Sequence, residues 1–183
     1  MAQLRQKSKQ LTCAFILSLF AMLVQAQPGL DWLELLPPED LQALLDMPEI
    51  GHDTPEGDST FYSQGLKNTD PDLPEIMRST RTVAALNNQP VLIAGYPVPL
   101  ESDENGHYQE FFLVPYPGAC IHVPPPPPNQ IILVRFAKGY QFADIYEPIW
   151  VEGRLYVDQQ ANDLADSSYR LEAESVTAID AAF

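Results

Sequence analysis

The chain has 183 residues and a formal net charge of −15, from 10 Lys and Arg against 25 Asp and Glu. It contains 18 prolines and two cysteines, and 45% of its residues are hydrophobic. This apolar content excludes disorder along the whole chain, and the composition also excludes a collagen, a coiled coil, a disulfide framework and a multi-span membrane protein.

Residues 1–26 have the pattern of a secretory signal peptide. Three basic residues precede an apolar run from Leu11 to Val24, and cleavage is predicted between Ala26 and Gln27. The run is shorter than the roughly 20 residues that a membrane-spanning helix needs. We therefore expect an exported protein with no stable membrane span after cleavage, and an uncleaved anchor is the alternative.

Cleavage would change the charge and the cysteine count. Loss of three basic residues leaves 7 Lys and Arg against 25 acids, a net charge of −18. Nucleic-acid binding is excluded, since it depends on neutralising phosphates with Lys and Arg. The acidity serves either solubility or the attraction of cations and basic partners. Cys13 leaves with the signal, and Cys120 then remains as a buried thiol, a metal ligand or an intermolecular disulfide partner.

Residues 27–87 are predicted to form a helical extension and a linker. After a short turn or helix at 31–36, acidic Glu39 and Asp40 suit the first turn of a second helix. Its apolar face is formed by Leu41, Leu44 and Leu45, at helical spacing, and it packs on the domain or binds a partner. Residues 51–74 are polar and form the linker, and 75–87 contain a further short helix.

Residues 88–183 have the pattern of a β domain. Five strands are predicted, at Pro90–Pro99, Gln109–Tyr116, Gln130–Phe136, Ile149–Val157 and Ser168–Ile179. Gly153 marks a bulge or bend in the fourth strand. Five strands in about 90 residues predict a mainly β fold, a small five-stranded OB-like barrel that follows the N-terminal helical extension.

Two segments of this domain are distinctive. The first reads Gly-Tyr-x-x-Pro-Leu-Glu and includes Gly95, Tyr96, Pro99 and Glu101. The second reads Gly-Ala-Cys-Ile-His-Val, followed by five prolines, Asn and Gln, and its marker residues are Gly118, Cys120, His122, Pro124, Pro125, Asn129 and Gln130. With these motifs the chain, over roughly residues 30–179, resembles an uncharacterised family of exported bacterial proteins known as a domain of unknown function.

The resemblance implies a location rather than a reaction. Members of such a family are expected in the periplasm of Gram-negative bacteria. Gene neighbourhood in some members suggests an association with envelope ABC-transporter components that are linked to zinc. No established activity comes with the resemblance.

Cys120 and His122 form the candidate metal site. In an extended segment, residues i and i+2 point to the same side, so the thiolate and the imidazole would converge. Zinc favours this pair of ligands and copper accepts it, but a zinc site needs at least three protein ligands. The candidate third ligands are Glu101, His107 and Glu110, and the alternative is a buried thiol beside a hydrogen-bonded histidine.

The five prolines at 124–128 form a stiff connector of about 15 Å in polyproline II conformation. They lack backbone donors and cannot join a sheet. They either hold the Cys-x-His segment and cross between strands, or present a ridge to an aromatic groove.

These features favour a periplasmic, non-enzymatic accessory protein of an envelope transport or metal homeostasis system, with zinc as the candidate ligand. Two alternatives stay open. One is a metal-free protein-interaction module. The other is a cysteine-dependent enzyme that acts on an envelope substrate, although the Cys-His pair does not by itself supply an orienting third group.

Overall fold

Five strands close into a ring in a computed structural model that describes residues 29–47, 66–68, 73–119 and 125–179. The strands are β1 (Gln89–Pro99), β2 (Tyr108–Val114), β3 (Ile132–Tyr140), β4 (Ile149–Ala161) and β5 (Asp166–Ala178). Their order around the ring is β1-β2-β3-β5-β4, and β3 and β5 run parallel while the other neighbours are antiparallel. The predicted mainly β, OB-like architecture with an N-terminal helical extension is confirmed.

The interior of the ring is the main apolar core. Successive side chains of a strand point to opposite faces, so alternate residues of every strand turn inward. The buried residues of this core are Leu35, Val91, Ile93, Phe111, Leu113, Ile132, Val134, Phe136, Ile149, Val151, Leu155, Tyr169, Leu171 and Val176. Leu35 comes from the N-terminal extension, which therefore contributes to the core of the barrel.

A second apolar cluster lies on the outer face of β2 and β3. Phe112 and Val114 alternate with the inward residues of β2, and Leu133 does the same in β3. The remaining buried members come from the segments around the barrel: Leu66, Ala119, Ile131 and Ala165. Leu66 of the predicted linker and Ala119, which precedes the Cys-x-His segment, thus cover the outside of the sheet.

The predicted irregularity at Gly153 is confirmed. The register between β4 and β5 shifts between Glu152 and Gly153. A Cβ atom at Gly153 would lie 2.2 Å from the carbonyl oxygen of Glu172. Only glycine therefore allows the two backbones to approach this closely at the bend.

Residues 29–47, here called the strap, contain a 3₁₀ turn (Trp32–Leu35) and helix α1 (Pro38–Leu45). Asp31 and Glu34 form a capping box around the turn, and Pro38 occupies the first position of α1. The strap runs beside β1, where the backbone N–H of Leu30 donates to the carbonyl of Leu92 at 2.7 Å.

Trp32 joins the strap to the sheet. Its indole N–H donates to the carbonyl of Ala94 at 2.7 Å. A Cβ atom at Gly95 would lie 2.9 Å from the Trp32 ring and 2.8 Å from Leu113. The absence of a side chain at Gly95 therefore makes room for the indole.

Within 75–87, where the sequence predicts a short helix, the structure has two 3₁₀ turns, at Glu75–Arg78 and Ala84–Leu86, separated by extended residues. Ser79 and Arg81 in this interruption bind Asp40, and the N–H of Val83 donates to the Tyr169 hydroxyl at 2.7 Å. These tertiary hydrogen bonds replace the i to i+4 bonds of a helix.

The Tyr169 hydroxyl links three separate segments inside the protein. It donates to the carbonyl of Leu35 at 2.8 Å and accepts from the N–H of Val83. The side chain is fully buried, and burial raises the pKa of its hydroxyl. The neutral hydroxyl thus satisfies one backbone acceptor and one backbone donor that would otherwise lack partners.

We expect Tyr169→Phe to lower the free energy of unfolding by about 1–3 kcal/mol, because it leaves those two backbone groups unsatisfied. Urea unfolding measures the change. Tyr146→Phe is the matched control, since Tyr146 is 52% exposed. Equal stability of the two variants would show that the Tyr169 hydroxyl does not bind the strap.

Candidate functional site

Residues Pro125–Gln130, here called the proline corner, follow the Cys-x-His segment. Pro125, Pro126 and Pro127 are buried, and a 3₁₀ turn spans Pro128–Gln130. Prolines have no N–H, so neighbouring groups can bind only their carbonyls. Asn68 does so, because its side-chain nitrogen lies 3.0 Å from the Pro125 oxygen and 3.3 Å from the Pro126 oxygen.

Asn129 and Gln130 fix the other end of the proline corner. The Asn129 backbone N–H donates to the carbonyl of Ser79 at 3.2 Å, and its side-chain nitrogen donates to the carbonyl of Arg81 at 3.0 Å. The Gln130 side chain donates to the carbonyl of Trp32 at 2.7 Å. The two motif residues therefore bind the strap and the 79–81 segment.

Asp40 of α1 lies at the centre of these contacts. Its side chain is fully buried and accepts hydrogen bonds from Ser79 Oγ at 2.5 Å, Asn129 Nδ2 at 2.7 Å and Arg81 Nε at 2.7 Å. A second guanidinium nitrogen of Arg81 donates to the same carboxylate oxygen, Oδ1, and completes the ion pair. Asp40, Ser79, Arg81 and Asn129 are here called the latch.

The latch holds the Asp40 carboxyl in its charged form. Burial acts to raise the pKa of Asp40, but the hydrogen bonds from Arg81, Ser79 and Asn129 and the charge of Arg81 outweigh it. The pKa of Asp40 therefore lies below its usual value. A buried charge is stable only when it is paired and hydrogen-bonded in this way.

The predicted ligands Cys120 and His122, and Pro124, lie outside the described residues. On one side of them, Ala119 is 1% exposed and belongs to the second apolar cluster. Gly118 has a φ of +72°, in the left-handed region that favours glycine. On the other side the proline corner begins at Pro125, so both flanks of the segment are buried against the barrel.

Two of the three candidate third ligands share a cleft. Glu101 and Glu110 line an open depression of about 410 Å³ together with Leu100, Gln109 and Asn162. Glu101 is exposed. Glu110 forms an ion pair with Arg135, with 2.7 Å between the carboxylate oxygen and Nε.

His107 lies at the beginning of β2, whereas Ala119 follows its end. The seven residues of β2 span about 20 Å. His107 Nδ1 lies 3.7 Å from a carboxylate oxygen of Asp103. Within the described ranges no three His, Cys, Asp or Glu side chains group closely enough to hold a metal ion.

The other motif residues have structural contacts. Tyr96 packs on the second apolar cluster, and Pro99 lies opposite Phe111 in the ladder between β1 and β2. Gly95 accommodates Trp32, as described above. The Gly-Tyr-x-x-Pro-Leu-Glu motif therefore passes from the strap contact to the cleft at Glu101.

The latch was not predicted from the sequence. Asp40 follows Glu39 at a helix N-terminus, where an acidic residue needs no further partner. Asn68 lies in a polar segment that predicts a linker. The one sequence signal for the latch is Asn129, a motif residue directly after the prolines.

We expect Asn129→Ala to lower the free energy of unfolding by about 2–4 kcal/mol, because it removes a hydrogen bond to a buried charge and leaves acceptors unsatisfied. Urea unfolding followed by tryptophan fluorescence measures this change. Asn105→Ala, at an exposed position of the β1–β2 connection, provides the control and should change stability by less than about 0.5 kcal/mol. A loss at Asn129 no larger than that of the control would contradict the role of the latch.

Comparison with known proteins identifies relatives. A family described as "Protein of unknown function (DUF3299)" matches residues 32–178. The chain is similar to the crystal structure of a DUF3299 family protein from Pseudomonas aeruginosa PAO1, with 36% identity and a TM-score of 0.61 over 85% of this chain and 98% of that one. No curated protein matches the chain.

A second solved structure is more distant. It is a small single-stranded DNA-binding protein from Streptomyces coelicolor, with 14% identity and a TM-score of 0.31 over 52% of this chain and 97% of that one. At that TM-score the likeness supports no inference about this chain.

Proposed function

The chain belongs to the DUF3299 family, and from that membership we propose that it is a periplasmic, non-enzymatic accessory protein of an envelope transport or metal homeostasis system that binds zinc through Cys120 and His122. Membership of an uncharacterised family, which the motifs predicted, is confirmed. The location, the metal and the transporter partner belong to the proposal.

The observation that carries the proposal is the anchoring of both flanks of the Cys-x-His segment. Ala119 is buried in the second apolar cluster, and Asn68 binds the carbonyls of Pro125 and Pro126. Anchored flanks limit the conformational entropy that the segment loses when a ligand binds. A thiolate and an imidazole two residues apart are ligands that zinc prefers.

A third ligand is required, and the two carboxylates of the cleft, Glu101 and Glu110, are the candidates to provide it. Glu101 has no ion pair among the described residues, whereas Glu110 would have to exchange Arg135 for the metal. Glu101 is thus the less costly carboxylate to recruit. His107 is separated from Ala119 by the length of β2.

Nucleic acid and a membrane span are not part of the proposal. The acidic charge opposes phosphate binding. In the described parts of the chain, no helix is long and apolar enough to cross a membrane.

Zinc titration of the purified protein by calorimetry tests the metal site. We expect one zinc per chain, with proton release because the thiol must deprotonate. Cys120→Ser and His122→Ala should each weaken binding about 10-fold or more. Of the variants Glu101→Gln, His107→Ala and Glu110→Gln, one should also weaken it. Glu104 is an exposed carboxylate in the β1–β2 connection, and Glu104→Gln should leave zinc binding unchanged. Equal affinity of wild type, Cys120→Ser and His122→Ala would remove the metal from the proposal.

A metal-free interaction module is the second candidate, and the apolar face of α1 favours it. Leu45 is 65% exposed, and Leu33 in the preceding turn is 44% exposed. The predicted face of Leu41, Leu44 and Leu45 belongs to neither apolar cluster. Complete protection of Cys120 from thiol reagents in the metal-free protein would favour this candidate over the zinc site.

The cysteine-dependent enzyme makes a different prediction for the same thiol. A nucleophilic Cys120 needs a pKa well below the ordinary value of about 8.5. Alkylation rates measured against pH report this pKa. An ordinary or raised pKa excludes the enzyme and leaves the two binding functions.

A further inference from the structure

The latch joins parts of the chain that are far apart in sequence. Asp40 belongs to the strap, Ser79 and Arg81 lie between two 3₁₀ turns, and Asn129 belongs to the proline corner. One carboxylate therefore holds three segments against each other. This buried group is not used by the proposed metal site.

The latch is a polar link between α1 and the rest of the protein. Asp40 is the buried residue of α1, whereas Leu41 and Leu44 are half-buried and Leu45 is exposed. The helix therefore buries its apolar side chains only in part, and the hydrogen bonds and the ion pair of Asp40 add a polar contribution to its docking.

One partner of the ion pair in the latch is accessible to solvent and the other is not. The Asp40 side chain is fully buried, whereas the Arg81 side chain is 52% exposed. The other charged groups near the pair are Glu39 on α1 and Glu75 on the preceding 3₁₀ turn, and both act on Arg81. Asn129, from the proline corner, brings no charge. Arg81 is thus the cation that compensates the buried carboxylate.

We propose that the latch is an acid-sensitive device whose opening loosens the docking of the strap and the proline corner on the barrel before the barrel itself unfolds. When Asp40 is charged, it accepts all of the donors around it. When it is protonated, it loses the ion pair with Arg81, and its own O–H donor faces the donors of Ser79, Arg81 and Asn129. The barrel ladder between its five strands does not include any residue of the latch.

The sign of the pH dependence follows from the direction of the pKa. The pKa of Asp40 is lower in the closed latch than in an open one, so the charged form favours closure. The stabilisation of the closed latch by charged Asp40 is complete at neutral pH. It is lost as the pH falls below about 4, the ordinary pKa range of an aspartate. The proline corner opens together with the strap, because its residues Asn129 and Gln130 donate hydrogen bonds to Asp40 and to the carbonyl of Trp32 in the strap.

The indole N–H of Trp32, which donates to the carbonyl of Ala94, reports docking of the strap. The backbone N–H groups of β4, which pairs with both β1 and β5, report the barrel. NMR of the ¹⁵N-labelled protein gives the exchange rate of each of these protons with water. Below pH 4 we expect protection of the Trp32 proton, corrected for intrinsic exchange, to decrease before that of the β4 amide protons.

Variants assign the effect to the latch. Asp40→Asn should speed exchange of the Trp32 proton about 10-fold or more at pH 7 and remove its acid response. Arg81→Gln, which leaves the carboxylate in place, should speed exchange at pH 7 and reduce the acid response. Arg154→Gln removes a guanidinium that donates to Asn88, outside the latch, and should behave as wild type.

Three results would overturn the proposal. They are wild-type exchange of Trp32 in Asp40→Asn, an unchanged acid response in Arg81→Gln, and simultaneous loss of protection at Trp32 and at the β4 amides in acid. Should Asp40→Asn fail to fold, the wild-type acid titration and Arg81→Gln still decide between a separate release of the strap and global unfolding.

Discussion

A fully buried carboxylate, Asp40, connects the N-terminal strap of this protein to its proline corner. A charge without water is unfavourable unless every lone pair has a donor. Here the donors come from Ser79, Arg81 and Asn129, which belong to segments far apart in the sequence. The positions of these segments are therefore coupled, because each of them satisfies the same group.

The extension and the barrel also share a core. The strap places Leu35 in the barrel interior, and Trp32 and Leu30 bind carbonyls of β1. The Tyr169 hydroxyl and Gln130 bind strap carbonyls from the barrel side. In the sequence, the Cys-x-His segment lies between Ala119 of the second apolar cluster and the proline corner, so the latch also holds one flank of the proposed metal site.

The strands could be predicted from the sequence because burial of alternate residues leaves a strong local pattern. The bounds of β1 and the beginning of β4 agree with prediction to within a residue, and the glycine bend in β4 is confirmed. The short helix predicted within 75–87 is divided into two 3₁₀ turns, because Ser79, Arg81 and Val83 form long-range hydrogen bonds that no local pattern reports. Tertiary contacts here override a local preference for helix.

The candidate site was predictable only in part. Asn129 and Gln130 were predicted as motif residues. Their hydrogen bonds to Asp40 and to the carbonyl of Trp32 explain why the segment carries an amide side chain at each position. Asp40 did not stand out, since an acid in the first turn of a helix is satisfied locally. Glu101 and Glu110 lie in one cleft because β1 and β2 are antiparallel neighbours, whereas Cys120 and His122 remain sequence predictions.

A double-mutant cycle between Asp40 and Asn129 tests the coupling at the centre of this account. The free energies of unfolding of Asp40→Ala, Asn129→Ala and the double variant are compared with that of the wild type. Since the two side chains share a buried hydrogen bond of 2.7 Å, we expect a coupling energy of about 1–3 kcal/mol. Strict additivity of the two changes would mean that Asp40 does not join the strap to the proline corner.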